Sequence, residues 1–163
     1  LQRQQIIEDG DIPALPPQSP RYDDEEPLGV NFFRTQVAGT TFENLTLPRT
    51  FFGRSEIRDV SFRDSDLSES TANWNDFIDV DLSSSDLSRC DFRSCVFERV
   101  RFIKALLRGA DLRHCSFSAC DFTDADFADA KITRQAAANL QLSHKQQRVI
   151  DVQEEDGEEP EGG

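Results

Sequence analysis

Every fifth residue from Phe32 to Ile132 is apolar. The series runs Phe32, Val37, Phe42, Leu47, Phe52, Ile57, Phe62, Leu67, Ala72, Phe77, Leu82, Leu87, Phe92, Phe97, Phe102, Leu107, Leu112, Phe117, Phe122, Phe127 and Ile132, 21 positions without exception. An α-helix buries a stripe of period about 3.6 and a flat strand alternates with a period of roughly 2. A period of five fits neither. Two residues before each member the chain is small: from Val30 to Ala130 the set is Val, Thr, Ser, Cys, Ala and Asn, with Leu45 the one large residue. The residue between the two is Asp eight times. Each unit therefore reads small, Asp-like, large apolar, variable, variable. The small and the large residue share one face and the Asp-like residue takes the other, as in a very short strand. The two variable residues form a corner.

This unit resembles that of the pentapeptide-repeat family, Ala-Asp/Asn-Leu-x-x. Ala110-Asp111-Leu112 and Ala125-Asp126-Phe127 match it almost letter for letter. The resemblance covers roughly residues 30–134. It implies an all-β solenoid, a right-handed four-sided β-helix with four units per coil, so that residues twenty apart stack at about 4.8 Å. Twenty-one units then make about five coils and a shaft of about 25 Å. Residue type sorts by column under this rule. One core column reads Leu47, Leu67, Leu87, Leu107, Phe127, and another Val37, Ile57, Phe77, Phe97, Phe117. Ala72 is the one gap, and a local distortion of its coil is expected there. Ser88, one residue after the inward Leu87, is expected to face solvent.

Outside the repeat the composition changes. Residues 1–29 carry five prolines and the run Asp23-Asp24-Glu25-Glu26, and read as an extended or disordered leader. After the repeat (30–134), residues 135–152 read as a helical cap. Thr133 is placed to N-cap a first short helix, and Ser143 with Gln146 fits a capping box for a second. Leu140, Leu142, Val149 and Ile150 are available to cover the apolar end that every solenoid exposes. Residues 153–163 are acidic and Gly-rich and are expected to be disordered.

The chain has a formal charge of −13. Direct nucleic-acid binding by its whole surface, or binding to an anionic membrane, is not expected of such a chain. No apolar run approaches the roughly 20 residues of a membrane helix, and no segment reads as a signal peptide. The expectation is a cytoplasmic protein. Its charge is unevenly placed. The leader carries −5, residues 135–163 another −5, and the shaft, with 14 basic and 17 acidic residues, only −3. The shaft face centred on Phe32, Phe52, Ala72, Phe92, Leu112 and Ile132 has Arg34, Arg54, Arg93, Arg113, Lys131 and Arg134 against Asp91 and Asp111, which is +4. The other faces come to −3, −2 and −2.

Catalytic and metal constellations are missing from the pattern. Cys90, Cys95, Cys115 and Cys120 all occupy the small inward position. They read as core filler, with neither a disulfide nor a zinc site, because parallel stacking holds stacked Cβ atoms near 4.8 Å and a disulfide needs about 3.5–4.5 Å. His114 and His144 have no nucleophile beside them, and no Gly-rich phosphate loop is present. No cofactor and no enzymatic activity are expected.

The candidate binding surface is the corner column Arg34, Arg54, Trp74, Ser94, His114, Arg134, with Phe33 and Phe51 close by. Trp74, Arg54, Arg93 and Arg113 form its centre, and Ile78 and Val96 flank it on the next face. An outward Trp among arginines is characteristic of interface hot spots. The opposing reading makes Trp74 the filler of the space left by Ala72. The leading expectation is a non-catalytic protein-binding solenoid, monomeric or homodimeric, engaging a protein partner. The resemblance extends this to a bacterial accessory or immunity-type protein that neutralises a toxin or effector. The alternative that it implies is a DNA mimic that binds and protects or inhibits gyrase or another type II topoisomerase, which needs a strongly acidic shaft.

Overall fold

The computed structural model of the chain describes residues 31–33 and 36–154. The leader (1–29) and residues 155–163 of the acidic tail lie outside the described residues. Nine strands and two short helices follow one another as β1 (Asn31–Phe33), β2 (Gln36–Thr41), β3 (Phe51–Gly53), β4 (Glu56–Ser61), β5 (Asp76–Asp81), β6 (Val96–Glu98), β7 (Ser116–Ser118), β8 (Lys131–Thr133), α1 (Arg134–Asn139), α2 (His144–Val149) and β9 (Asp151–Gln153). All strand pairing is parallel, and every register joins residues twenty apart, such as Val37↔Ile57, Ile57↔Phe77, Phe77↔Phe97 and Phe97↔Phe117. Single bridges continue the same rule on the other faces, as in Asp66↔Asp86↔Leu106↔Asp126. The product is a four-sided β-solenoid.

Each unit position has a distinct physical task. The large apolar residues fill the bore. Phenylalanines of one column stack nearly parallel, with centroids 5.3 Å apart for Phe77–Phe97 and 4.7 Å for Phe102–Phe122. Those of neighbouring columns meet edge-on, as Phe92 meets Phe97 at 5.5 Å and 75°. Both arrangements suit the ring quadrupole. The small residues lie under the corners, and many bond to backbone carbonyls there. Ser70 and Ser85 Oγ each donate to the carbonyl three residues back at 2.6 Å. Ser65 Oγ reaches one coil further back, to Phe42 O at 2.5 Å.

The recurrent Asp is also explained. Asp66, Asp81, Asp86, Asp91, Asp111, Asp121 and Asp126 each accept the backbone N–H two residues on, at 2.9–3.2 Å. This Asx bond pins the start of the corner. The eighth, Asp76, opens the six-residue strand β5, whose corner residue Asp79 is also left-handed at φ 57°. The corner itself passes through the left-handed region. Seventeen non-glycine residues from Asn44 to Asp129 have φ between 53° and 64°, and Gly39 and Gly109 take the same slot. An L-residue held there costs roughly 1–2 kcal/mol, a cost that the ladder of bonds on both sides of each corner must offset.

Three expectations change on contact with the structure. The coil of Ala72 is not distorted. Asn75 turns its buried side chain inward and donates from Nδ2 to the carbonyls of Phe52 and Ala72, while Phe77 packs edge-on to Phe52 and Phe92 at 5.9 and 6.1 Å. Ser88 is only 6% exposed, because a short side chain in a stack is screened by the rungs at Ser68 and Arg108, about 4.8 Å away on either side. Leu45, the large residue in a small slot, is 41% exposed.

At the C-terminal end α1 follows Thr133, whose side chain makes no capping bond, and α2 opens with the capping box of Ser143 and Gln146. Gln146 Nε2 then donates to the carbonyls of Phe122 and Ala125 at 2.9 and 3.0 Å, the task that small side chains perform one coil below. Leu142 is buried, Leu140 and Ile150 pack against the core, and Val149 stays 40% exposed. After the helices the chain rejoins the stack. β9 pairs with β8, with Ile132↔Val152.

Candidate protein-binding face

Trp74 occupies a corner between β3 and β5. Its φ is 64°, and its backbone N–H donates to the Arg93 carbonyl at 3.0 Å. That bond fixes the backbone and leaves the ring outside, 64% exposed. The ring does not fill the space beside Ala72, since Asn75 and Phe77 have done so. The filler reading of Trp74 is thereby overturned. A bulky aromatic at positive φ is an uncommon choice, and an Asn, Asp or Gly would meet the corner's backbone requirement at lower cost.

The neighbouring cations divide into two kinds. Arg93 forms a bidentate pair with Asp91, with Nε–Oδ1 at 2.9 Å and Nη2–Oδ2 at 2.8 Å. Arg113 does the same with Asp111 at 2.9 and 2.7 Å. For Asp91 burial alone would raise the carboxyl pKa, but the Arg93 bonds outweigh it and hold the group below its ordinary range. These two pairs take up both acidic residues of the face, so its +4 rests on Arg34, Arg54, Lys131 and Arg134. Arg134 pairs with Glu154. Arg54, directly below Trp74 in the corner column, is exposed and makes no ion pair among the described residues. The side chains of Phe33 and Arg34 lie outside the described residues.

Ile78 and Val96 stand on the adjacent sheet. Val96 is 39% exposed and Ile78 half-buried. Asp76 pairs with Val96 and Ile78 with Glu98, so the two apolar side chains are diagonal neighbours on β5 and β6. Phe51, 37% exposed, begins β3 on the basic face. Trp74 and Arg54 thus share one corner column, Ile78 and Val96 lie on the sheet that follows it, and the paired Arg93 and Arg113 lie on the face before it.

The acidic faces are locally neutralised as well. Arg99 grips Asp79 at 2.6 and 3.1 Å and also reaches Glu98 at 2.8 Å. Its guanidinium bonds hold the Asp79 carboxyl below the ordinary range. Arg108 pairs with Asp126 and Arg89 with Glu69. The chain is acidic, but much of its shaft carboxylate is matched.

The cysteines hold no metal geometry. Among the described residues no three His, Cys, Asp or Glu side chains converge where an ion could sit. Cys90 and Cys95 are buried, and their thiols point at the carbonyls of Leu67 and Ala72 at 3.0 and 2.8 Å. Burial pushes both thiol pKa values up to about 12. Cys115 and Cys120 are only half-buried, because the helices replace the coil that would have stacked on them.

A family model described as pentapeptide repeats, in eight copies, matches residues 76–113 and 101–134. The chain carries pentapeptide repeats. A pentapeptide repeat protein from the thylakoid lumen of Arabidopsis thaliana aligns in structure with a TM-score of 0.55 and 26% identity, over 75% of this chain and 78% of that one. Trypsin-treated QnrB1, a plasmid-mediated fluoroquinolone resistance protein, aligns with a TM-score of 0.49 and 19% identity, over 60% of this chain and 53% of that one. No curated protein sequence matches the chain. Among the described residues no helix is long and apolar enough to cross a membrane.

Proposed function

We propose that this pentapeptide-repeat solenoid is a non-catalytic protein-binding module that engages its partner through the Trp74 corner. The observation that carries the reading is the 64% exposure of Trp74 on a backbone fixed by its neighbours. A rigid, exposed aromatic loses little entropy on binding, and Trp with Arg is the commonest hot-spot chemistry. Arg54 supplies a cation beside it that makes no ion pair among the described residues. The flat pairs of Arg93 with Asp91 and of Arg113 with Asp111 offer a preorganised polar rim. Ile78 and Val96 extend the apolar contact.

The biological role that fits such a module is accessory or immunity-type, the partner being a toxin- or effector-like protein that is neutralised by occlusion. DNA mimicry toward a topoisomerase is the second reading, and the overall charge of −13 favours it. Against it stands the shaft itself, which carries only −3 of that charge, the two ends carrying −5 each. The deciding experiment is an affinity pull-down with three baits: the unaltered chain, Trp74→Ala, and Asp59→Asn with Asp76→Asn. A partner lost with Trp74→Ala and kept with the double variant supports the first reading. A gyrase subunit lost with the double variant and kept with Trp74→Ala overturns it.

A further inference from the structure

The C-terminal cap closes the solenoid unevenly. β9 covers β8, and Gln146 covers the carbonyls of Phe122 and Ala125. Nothing among the described residues pairs with the far side of β7, which is the edge strand of the five-stranded sheet. One coil lower, Arg99 and Phe102 donate their N–H groups to the carbonyls of Ser118 and Asp121, both at 2.8 Å, and the carbonyls of Cys95 and Val100 accept from Ser116 and Asp121. Twenty residues on, Ala119 and Phe122 have no such acceptor, and the carbonyls of Cys115 and Cys120 have no such donor. Phe117, Cys115 and Cys120 are correspondingly half-buried. This edge opens into a cleft of about 1280 Å³ whose opposite wall is residues 139–143.

We propose that the β7 edge accepts an extended, basic segment of a partner protein as one further parallel rung. Unpaired strand edges are ready templates for such addition. The stack dictates the guest's pattern: a small residue over Cys115, an apolar one over Phe117, a small one over Cys120 and a cation over Asp121. The cation follows from the outward column, which alternates as Asp81, Arg101, Asp121, and from Asp124 on the same rim. The chain's own termini have the wrong sign, since residues 1–29 and 135–163 each carry −5. A second copy stacked head to tail would place Val37 over Phe117, but β9 already pairs with the edge of β8 that its β1 face would need.

The probe is a fluorescein-labelled peptide Ser-Thr-Val-Ser-Gly-Ala-Lys, with a Glu-ended version as its control, titrated against the full chain to millimolar concentration by fluorescence polarisation. The Lys peptide is expected to saturate. Asp121→Asn keeps an oxygen for the Thr123 N–H, so it should preserve the corner while weakening the Lys peptide about threefold, as for a cross-strand charge pair. It should strengthen the Glu peptide, whose carboxylate it no longer repels. Hydrogen exchange should show new protection at the Ala119 amide, and Trp74→Ala should alter none of this, which separates the edge from the Trp74 corner. Absence of saturation, equal binding of the two peptides, or no protection at Ala119 overturns the proposal. So does protection already present in the free chain and lost on deleting residues 155–163, which would make the tail the occupant.

Discussion

The Cys95 thiol donates to the Ala72 carbonyl at 2.8 Å across 23 residues of chain. Cys90 makes the same bond to Leu67 and Cys115 to Phe92. The small inward residue is therefore more than a spacer. Where it is Ser, Cys or Asn it is a donor that ties its corner to neighbouring carbonyls, a task that Val and Ala at the same slot do not perform and a thiolate could not.

Burial of these thiols sets a pH dependence. The Cys90 and Cys95 thiols titrate at about 12 in the fold, against an ordinary value of 9.0. Between those two values the unfolded chain has lost protons that the folded chain retains. The thiol contribution to stability is therefore complete below the unfolded value and is lost as pH rises through the window. Thermal midpoints should fall over that range, and the fall should be shallower in a variant carrying Cys90→Ser and Cys95→Ser, because Ser already performs the task at Ser70 and Ser85. Identical slopes in the two proteins would refute the assignment.

Reactivity should divide the four thiols. Cys90 and Cys95 are buried, whereas Cys115 and Cys120 lie half-buried at the end of the stack. Under native conditions a maleimide should modify Cys120 and Cys115 first and leave Cys90 and Cys95 untouched until the chain unfolds. Peptide mapping after timed quenching measures the order, and early labelling of Cys95 would count against the fold.

The register has its own test. Leu87 is fully buried in the bore, so Leu87→Asp places a carboxylate there with no partner and should cost several kcal/mol. Ser84 is exposed with φ of 58°, a conformation that Asp tolerates, so Ser84→Asp should cost little. Chemical denaturation of both variants gives the comparison. Equal losses would mean that the columns are misassigned.

The Asp of the repeat can be tested by separating its charge from its bond. Asp86 Oδ1 accepts the Ser88 N–H at 3.0 Å. Asp86→Asn keeps the acceptor and should be nearly neutral, while Asp86→Ala removes it and should cost about 1 kcal/mol. Denaturant midpoints at fixed slope measure both.

The fold was legible because a period of five leaves few alternatives, and the columns of Leu87 and Phe97 follow from arithmetic alone. Three things were not. The role of Asn75 depends on Ala72 one unit earlier, a compensation between neighbouring units that the repeat rule does not encode. Gln146 could be placed in a capping box from its spacing to Ser143, but its bonds to Phe122 and Ala125 require knowing that α2 folds back over the bore. The return of the chain to the stack at Asp151 was hidden because only Val152 marks it. Within the candidate site, the outward position of Trp74 came from register, whereas the pairing of Arg93 with Asp91 came from side-chain geometry. Counting charges gives +4 for that face, and the geometry shows which two of its arginines the two aspartates take.

Trp74 is where stability and binding should separate. Its side chain is mostly in water, so Trp74→Ala removes little buried surface and should leave the thermal midpoint nearly unchanged. Trp74→Gly should leave it unchanged or raise it, because glycine accepts the φ of 64° without the steric cost that an L-residue bears. Both variants should weaken binding to the captured partner by about 2 kcal/mol or more, mainly through faster dissociation. Arg54→Ala should act in the same direction by a smaller amount, since Arg54 is exposed. Asp59→Asn, on an acidic face, should have no effect. Surface plasmon resonance on the four variants, beside their melting curves, gives the full pattern. A Trp74→Ala variant that binds normally, or one that melts many degrees lower, would mean that the ring is structural and that the interface lies elsewhere.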